Sequence, residues 1–222
     1  DLKTLVARIR DEEIKGANVT IPFKKDIIPY LDELTDEAKS TQSVNTIYLN
    51  HSKVTGHNTD IDGFKSAIRD TKNDINGKKI LILGAGGVVP SLIFALYKLN
   101  VSVITVSNRT KRKAEKLREL FDNLKIVDWG EVPEFDMIIN ATSLGLSSKD
   151  DLNLDFSKGG NNKFFYDIIY NPKQTNFLEK AKMMGHKIEN GRKMFIYQAA
   201  AAFNIWHGIN PIINDETVKL LD

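Results

Sequence analysis

The spacing of apolar residues changes several times along the chain, and each change predicts a different element. Leu2, Leu5, Val6 and Ile9 share one face at helical spacing. The stretch GANVTI then reads as a short strand, the stretch around KKDIIPYLDEL as helical, and VNTIYLN and KVTGHN as paired strands joined at the dipeptide HS. In DIDGFKSAIRDT, Ile61, Phe64 and Ile68 return to helical spacing before the turn formers of NDING interrupt the pattern. That break predicts a domain boundary, with a first α/β domain over residues 1–74. From Lys78 the texture differs. KKILILG is a continuous aliphatic strand, followed by a helix to Lys98, the strand VSVITVS and the helix KRKAEKLRELF, with further strands at KIVDW, MIINAT and KFFYDIIY. Buried strands alternating with helices predict a parallel sheet covered on both faces, here over residues 75–190. The polar stretch SSKDDLNLDFSKGGNN is expected to be a loop with little fixed structure. TNFLEKAKMMG and GRKMFIYQAAAAFNIWHG read as helices, and the segment 191–222 is expected to return to the first domain. The fold class predicted is therefore α/β with two domains.

Composition narrows the function classes. The chain has 222 residues, 41% of them hydrophobic, and a formal net charge of +2, so no overall charge points to nucleic acid or a membrane surface. Absence of cysteine excludes a disulfide framework, a thiolate metal site and a cysteine nucleophile. The apolar runs are short and broken by glycine, and the N-terminus lacks a basic-then-apolar signal, so a cytoplasmic enzyme or binding protein is expected. His51, His57, His186 and His207 share no metal-ligand spacing, and no metal is expected.

Two patterns carry cofactor chemistry. Gly84-Ala85-Gly86-Gly87 lies between a buried strand and a helix, where such a turn lets the backbone approach a pyrophosphate and the helix N-terminus faces the phosphates. Pro90 falls in the first helical turn, where its missing N–H costs little. A tight turn without a ligand is the alternative. At the end of the next strand, where an NAD-binding sheet carries Asp or Glu, the chain has Ser107-Asn108-Arg109-Thr110 followed by Lys111 and Arg112. Cations beside a helix N-terminus are unfavourable unless an anion sits there, so Asn108, Arg109, Thr110 and Arg112 point to the 2′-phosphate of NADP. This is a Rossmann-like, NADP-binding pattern.

Those motifs, with GANVTIPFKK, VNT, GHNTDIDG, NATSLG, DIIYNP and YQAAAAF, resemble the shikimate dehydrogenase family, and the resemblance covers essentially all 222 residues. It implies reversible, NADPH-dependent reduction of 3-dehydroshikimate to shikimate, on the route to chorismate and the aromatic amino acids, by a cytoplasmic monomer or homodimer. By family position Lys24 and Asp60 flank the reacting hydroxyl, and Thr20, Asn45, Tyr170 and Gln198 contact the substrate. Hydride addition to a ketone leaves negative charge on oxygen, and an oriented ammonium meets it either as proton donor or as polariser. Asn18 and Asn58 are read as turn supports. The nicotinamide is expected against Thr142, Ser143, Leu144 and Gly145, with Ile168 and Met194 as apolar walls or else simply core, and Gly191 allowing close backbone approach at the cleft. Family members also carry an upstream strand and a Ser-x-Ser motif for the substrate carboxylate. Neither precedes Asp1; the alternatives are a sequence that is part of a longer chain and a lost carboxylate anchor, and the first is expected, because the first helix without its neighbouring strand would expose an apolar face. Val88-Val89-Pro90 is bulkier than the family's usual residues after the glycines. A quinate/shikimate dehydrogenase with relaxed cofactor use and a non-catalytic NADP sensor are the alternatives. Glutamyl-tRNA reductase shares the glycine turn but needs a cysteine nucleophile, which this chain lacks.

Overall fold

The computed structural model describes residues 1–147 and 149–219; Ser148, within the polar stretch read as a loop, lies outside the described residues. Two sheets organise the chain. The first is built from α1 (Leu2–Arg10), β1 (Gly16–Asn18), β2 (Glu33–Leu34), α2 (Asp36–Thr41), β3 (Thr46–Asn50) and β4 (Lys53–His57). Its strand order is β1-β3-β4-β2, with β3 antiparallel to both β1 and β4 and β2 parallel to β4. Val6 and Ile9 of α1 bury against Ile27, Val44, Ile47 and Val54, closing one small core. The β3–β4 hairpin turns at His51 and Ser52, whose φ values of 45° and 65° match the twist of a two-residue connection.

After α3 (Asp60–Asp70) come β5 (Lys79–Leu83), α4 (Val89–Lys98), β6 (Val103–Ser107), α5 (Lys111–Glu115), β7 (Leu124–Val127), β8 (Met137–Asn140), β9 (Phe164–Asp167), α6 (Asn176–Met183), β10 (Lys187–Glu189), α7 (Arg192–His207) and α8 (Asp215–Lys219). The six strands pair in parallel in the order β10-β9-β8-β5-β6-β7, so the chain reverses direction across the sheet between β5 and β8. That is the switch point of a doubly wound dinucleotide-binding sheet. Ile80 and Ile82 face one apolar cluster while Leu81 and Leu83 face the other, the alternation that a sheet buried on both sides requires. Residues of α3, α4 and Met194 of α7 join the first cluster; α6 joins the second. The far end of α7 returns to the first sheet, where Trp206 Nε1 donates to the Ile47 carbonyl at 3.2 Å. No described helix is long and apolar enough to cross a membrane.

Four expectations change. The helix around KKDIIPYLDEL does not form: Pro29 starts only a 3-10 turn at Ile28–Tyr30, and Leu31 is already extended. The Asp32 carboxylate then accepts from the Val54 amide at 2.8 Å and so sets the register of β2 beside β4. The strand in GANVTI is shorter than its apolar pattern, because the chain turns after Val19, the Phe23 amide donating to the Thr20 carbonyl. KRKAEKLRELF keeps α-helical form only to Glu115 and continues as a 3-10 helix over Lys116–Glu119. The polar stretch after NATSLG is anchored, since Leu152 and Phe156 bury against Phe165 and Phe177. Its apolar residues are few but spaced to reach the sheet.

Candidate active site

The carboxyl ends of β5, β6, β8 and β9 open into a groove of about 990 Å³. Gly84 leaves β5 with φ of +111°, a conformation available at low cost only to glycine, and its amide donates to the Ser107 carbonyl at 2.8 Å. Gly86 and Gly87 follow at the mouth of α4. A carbon added at Gly87 would meet nothing within 4 Å, and one at Gly86 only the Ala141 carbonyl at 4.0 Å. The turn thus leaves open, backbone-lined space before a helix N-terminus, the shape and chemistry a pyrophosphate needs. Val88 lines the same groove and Val89 is buried beneath it, so the bulk of the Val88-Val89-Pro90 segment is accommodated.

At the end of β6, Asn108, Arg109 and Thr110 line the groove, and Asn108 Nδ2 donates to the Thr110 carbonyl at 2.8 Å to fold that corner. Lys113 joins them, whereas Arg112 does not line the groove and Lys111 pairs with Asp128 at 2.8 Å. Lys113 was missed from the sequence because Arg112 stands nearer the motif; helical rotation brings the residue three beyond Thr110 back to the same side.

The loop after β8 is ordered by a buried polar chain. Asn140 Oδ1 accepts from the Thr142 amide at 3.1 Å and hydroxyl at 2.7 Å, and Thr142 Oγ1 accepts from the Leu144 amide at 3.0 Å. Asn140 Nδ2 donates to the Asp167 carboxylate at 3.1 and 3.2 Å. Thr142, Ser143, Leu144 and Ile168 line the groove. Gly145, Met194 and Gly191 do not line it: Gly145 packs beside Thr175, Met194 is 7% exposed in the sheet core, and Gly191 lies against the Ile168 carbonyl.

Asp167, the first residue of DIIYNP, went unread although it opens a motif. It is fully buried, and burial lifts its carboxyl to about 6 against the pull of hydrogen bonds from Thr175, the Ile169 amide and Asn140. A folded-state value above the ordinary 3.8 means that Asp167 stabilises the fold fully below that value and loses the contribution as pH rises through about 6. Asp167→Asn has no such titration. Relative to it, the wild type is expected to lose about 2 kcal/mol between about pH 4 and pH 7 in denaturant unfolding, and parallel stability curves for the two proteins would refute this.

On the first sheet's side, the turn after β1 carries Lys24, pinned where the Val44 amide donates to its carbonyl at 2.9 Å. Lys24 Nζ lies 2.6 Å from Asp60 Oδ2, their side chains 17% and 9% exposed. Asp60 opens α3; its Oδ1 accepts from Asn45 Nδ2 at 2.9 Å. Asn45 Oδ1 accepts from the Thr59 amide at 2.8 Å, and Asn45 Nδ2 also lies 3.4 Å from Gln198 Oε1 on α7. Lys24, Asp60, Asn45 and Gln198 therefore form one cluster although Asn45 and Gln198 are 153 residues apart. Thr20 is exposed four residues before Lys24. Asn18 Nδ2 donates to the Asn45 carbonyl at 3.1 Å, a support for the cluster. Ile21 from this turn and Tyr170 from the loop after β9 both line the groove, and Tyr170 stacks on Phe195 of α7 at 4.7 Å. An ammonium held by a carboxylate, ringed by neutral amides and set beside a nucleotide-shaped groove, suits proton or charge management at a hydroxyl or ketone oxygen. Among the described residues no three His, Asp or Glu side chains could hold a metal ion.

Comparison with known proteins agrees in detail. The family profile for the shikimate dehydrogenase substrate binding domain matches residues 1–47, and that for shikimate/quinate 5-dehydrogenase matches residues 66–175. Shikimate dehydrogenase (NADP(+)) of Pelagibacter ubique is 53% identical over 222 residues, covering 100% of this chain and 84% of the relative. The crystal structure of shikimate 5-dehydrogenase from Thermus thermophilus in complex with NADP(H) and shikimate superposes with a TM-score of 0.86 at 30% identity, covering 100% of this chain and 84% of the other. The 5-ketofructose reductase of a Gluconobacter strain superposes with a TM-score of 0.89 at 28% identity, over 99% of this chain and 82% of the other.

Proposed function

The chain belongs to the shikimate dehydrogenase family, and we propose that it catalyses the reversible, NADPH-dependent reduction of 3-dehydroshikimate to shikimate, a step toward chorismate and the aromatic amino acids. The observation that carries this reading is the Lys24–Asp60 pair, 2.6 Å apart and shielded, with Lys24 in the turn whose Ile21 lines the NADP-type groove. The cofactor supplies the hydride. In our reading the Gly84–Gly87 turn and the start of α4 hold its pyrophosphate, Asn108, Arg109, Thr110 and Lys113 its 2′-phosphate, and Thr142 to Leu144 with Ile168 its nicotinamide end.

The protein's own residues manage charge on oxygen. Lys24 directs its ammonium at the carbonyl oxygen of the ketone, where negative charge develops, and a fixed cation in a shielded site lowers the energy of that charge without reorganising. Asp60 aims the ammonium through Oδ2, while Asn45 holds Oδ1 and stops the carboxylate from rotating. Asn45, Gln198 and Thr20 offer neutral donors and acceptors to ring hydroxyls, which orients a polyol without adding charge that would compete with the reacting centre. Tyr170 covers the ring from the other wall. Domains over 1–74 for the substrate and 75–190 for NADP, with 191–222 returning to the first, accord with this division of labour. The working form is proposed to be a monomer or homodimer in the cytoplasm, and a larger species in sedimentation velocity would exclude it.

The reading is tested by steady-state oxidation of shikimate with either nicotinamide. NADP should be preferred, and Arg109→Ala should lower the NADP-to-NAD ratio of kcat/KM by about tenfold or more, since a charge-assisted hydrogen bond contributes about 1.5–3 kcal/mol. A wild type that favours NAD, or turns over quinate faster than shikimate, would overturn it. Retention of Lys24 and Asp60 as a formed pair disfavours a non-catalytic sensor, which has no use for an aimed ammonium.

A further inference from the structure

Asn58 stands two residues before Asp60 and is fully buried. Its Oδ1 accepts from the Asp60 amide at 3.2 Å. Its amide nitrogen lies 3.1 Å from Thr41 Oγ1, 3.0 Å from the Ser43 carbonyl and 2.9 Å from Ser91 Oγ. Two N–H protons are thus shared among three acceptors. Thr41 and Ser43 end α2 and its exit on the first sheet's side. Ser91, also fully buried, stands in the first turn of α4, directly behind the glycine turn and Val88 that line the groove. One side chain therefore touches the backbone of Asp60 and the helix at the cofactor groove.

We propose that Asn58 is a positioning residue: through Ser91 it sets the Lys24–Asp60 pair relative to α4 and so couples substrate binding to cofactor binding. The inference rests on the functional reading above. Reacting atoms tolerate little displacement, and a misplacement of about 1 Å costs about 100-fold in rate. A hydrogen bond between two fully buried neutral groups is stiff enough to matter on that scale, because water does not compete for it. When α4 settles against phosphates, Ser91 carries the adjustment to Asn58, and Asn58 carries it to the first turn of α3. The coupling is reciprocal, so occupancy of the substrate cluster must alter cofactor affinity by the same factor.

Ser91→Ala is the clean probe. It removes one acceptor, leaves both Asn58 protons with Thr41 and Ser43, and keeps a helix-favouring residue of smaller volume. Two readouts are needed: kcat with shikimate and NADP, and the shikimate dissociation constant with and without NADPH, a pair of reduced compounds that cannot react together. In the wild type NADPH should change shikimate affinity by about fivefold or more. In Ser91→Ala that factor should shrink to within about twofold and kcat should fall about tenfold, with NADPH affinity alone and melting temperature near wild type. Thr41→Val removes another acceptor of the same amide without touching α4 and should keep the coupling. The inference fails if the wild type shows no coupling, if Ser91→Ala keeps both coupling and kcat, or if Thr41→Val loses coupling equally. A wild type that oxidises no shikimate overturns the functional reading, and this inference with it.

Discussion

Replacing Lys24 with alanine is expected to lower kcat for shikimate oxidation by about 1,000-fold while leaving NADP affinity within about twofold. Removal of a single donor from a site that stabilises charge on oxygen costs about 100- to 1,000-fold, and loss of a proton-transfer group adds to it. NADP affinity should hold because Lys24 does not line the groove; its contacts are with Asp60 and the chain around Val44. The substitution leaves Asp60, 9% exposed, with Asn45 and its own helix start but no cation. An unpaired buried charge destabilises in its own right, so the melting temperature of Lys24→Ala should be compared with that of the double variant with Asp60→Asn. Recovery of stability in the double variant would trace the thermal loss to the stranded carboxylate, and a kcat loss in Lys24→Ala measured below its melting temperature with NADP affinity intact would place the lysine's role in the chemistry. Equal losses in kcat and NADP affinity would make it a structural residue.

Gly191→Ala is expected to cost about 3 kcal/mol of stability or more, lowering the melting temperature by about 6–12 °C. A carbon at Gly191 would sit 1.9 Å from the Ile168 carbonyl oxygen and 2.5 Å from its carbon, far inside any real contact. Neither side can retreat cheaply. The Ile168 amide donates to the Asn140 carbonyl at 3.0 Å, and the Gly191 amide donates to the Ile169 carbonyl at 3.1 Å. The first ties the loop after β9 to the end of β8 and the second ties it to the start of α7, so relief of the clash must break one of them or move Tyr170 away from Phe195. Gly87→Ala, where the added carbon meets nothing within 4 Å, is the matched control and should melt within a few degrees of wild type. Similar melting of both variants would show that the contact at Gly191 yields more easily than its geometry requires.

These two glycines also mark how far the sequence could be read. The turn at Gly84 to Gly87 was legible because a buried strand and a helix flank it, and flanking context is local. Gly191 is read as allowing close backbone approach at the cleft, but that its near neighbour is the Ile168 carbonyl, 23 positions earlier in the chain and across a loop, is something no local pattern reports. The same divide runs through the elements. KKILILG was legible as a strand covered on both sides, since every position from Ile80 to Leu83 is apolar and the burial alternates between two clusters. KKDIIPYLDEL has apolar residues near helical spacing, but Pro29 and the Asp32 bond to the Val54 amide override them. In SSKDDLNLDFSKGGNN, composition predicted a loose loop, yet Leu152 and Phe156 suffice to fasten it. Within the site, Lys24 and Asp60 came from a motif; Asp167 and the Asn58–Ser91 link emerge only when burial is known, because a polar residue looks alike in sequence whether water or protein surrounds it.

The bond from Trp206 to the Ile47 carbonyl has a consequence in time. The two residues are 159 positions apart, and a ribosome adding about 5–20 residues per second takes about 8–30 s to make the chain between them. For that interval the Ile47 carbonyl of β3 lacks the indole that later bonds it, and Gln198 is likewise missing from Asn45. The first sheet, made well before α7, is thus finished only when α7 arrives, and a nascent chain paused before α7 should be more open to protease near β1 and β3 than the released protein.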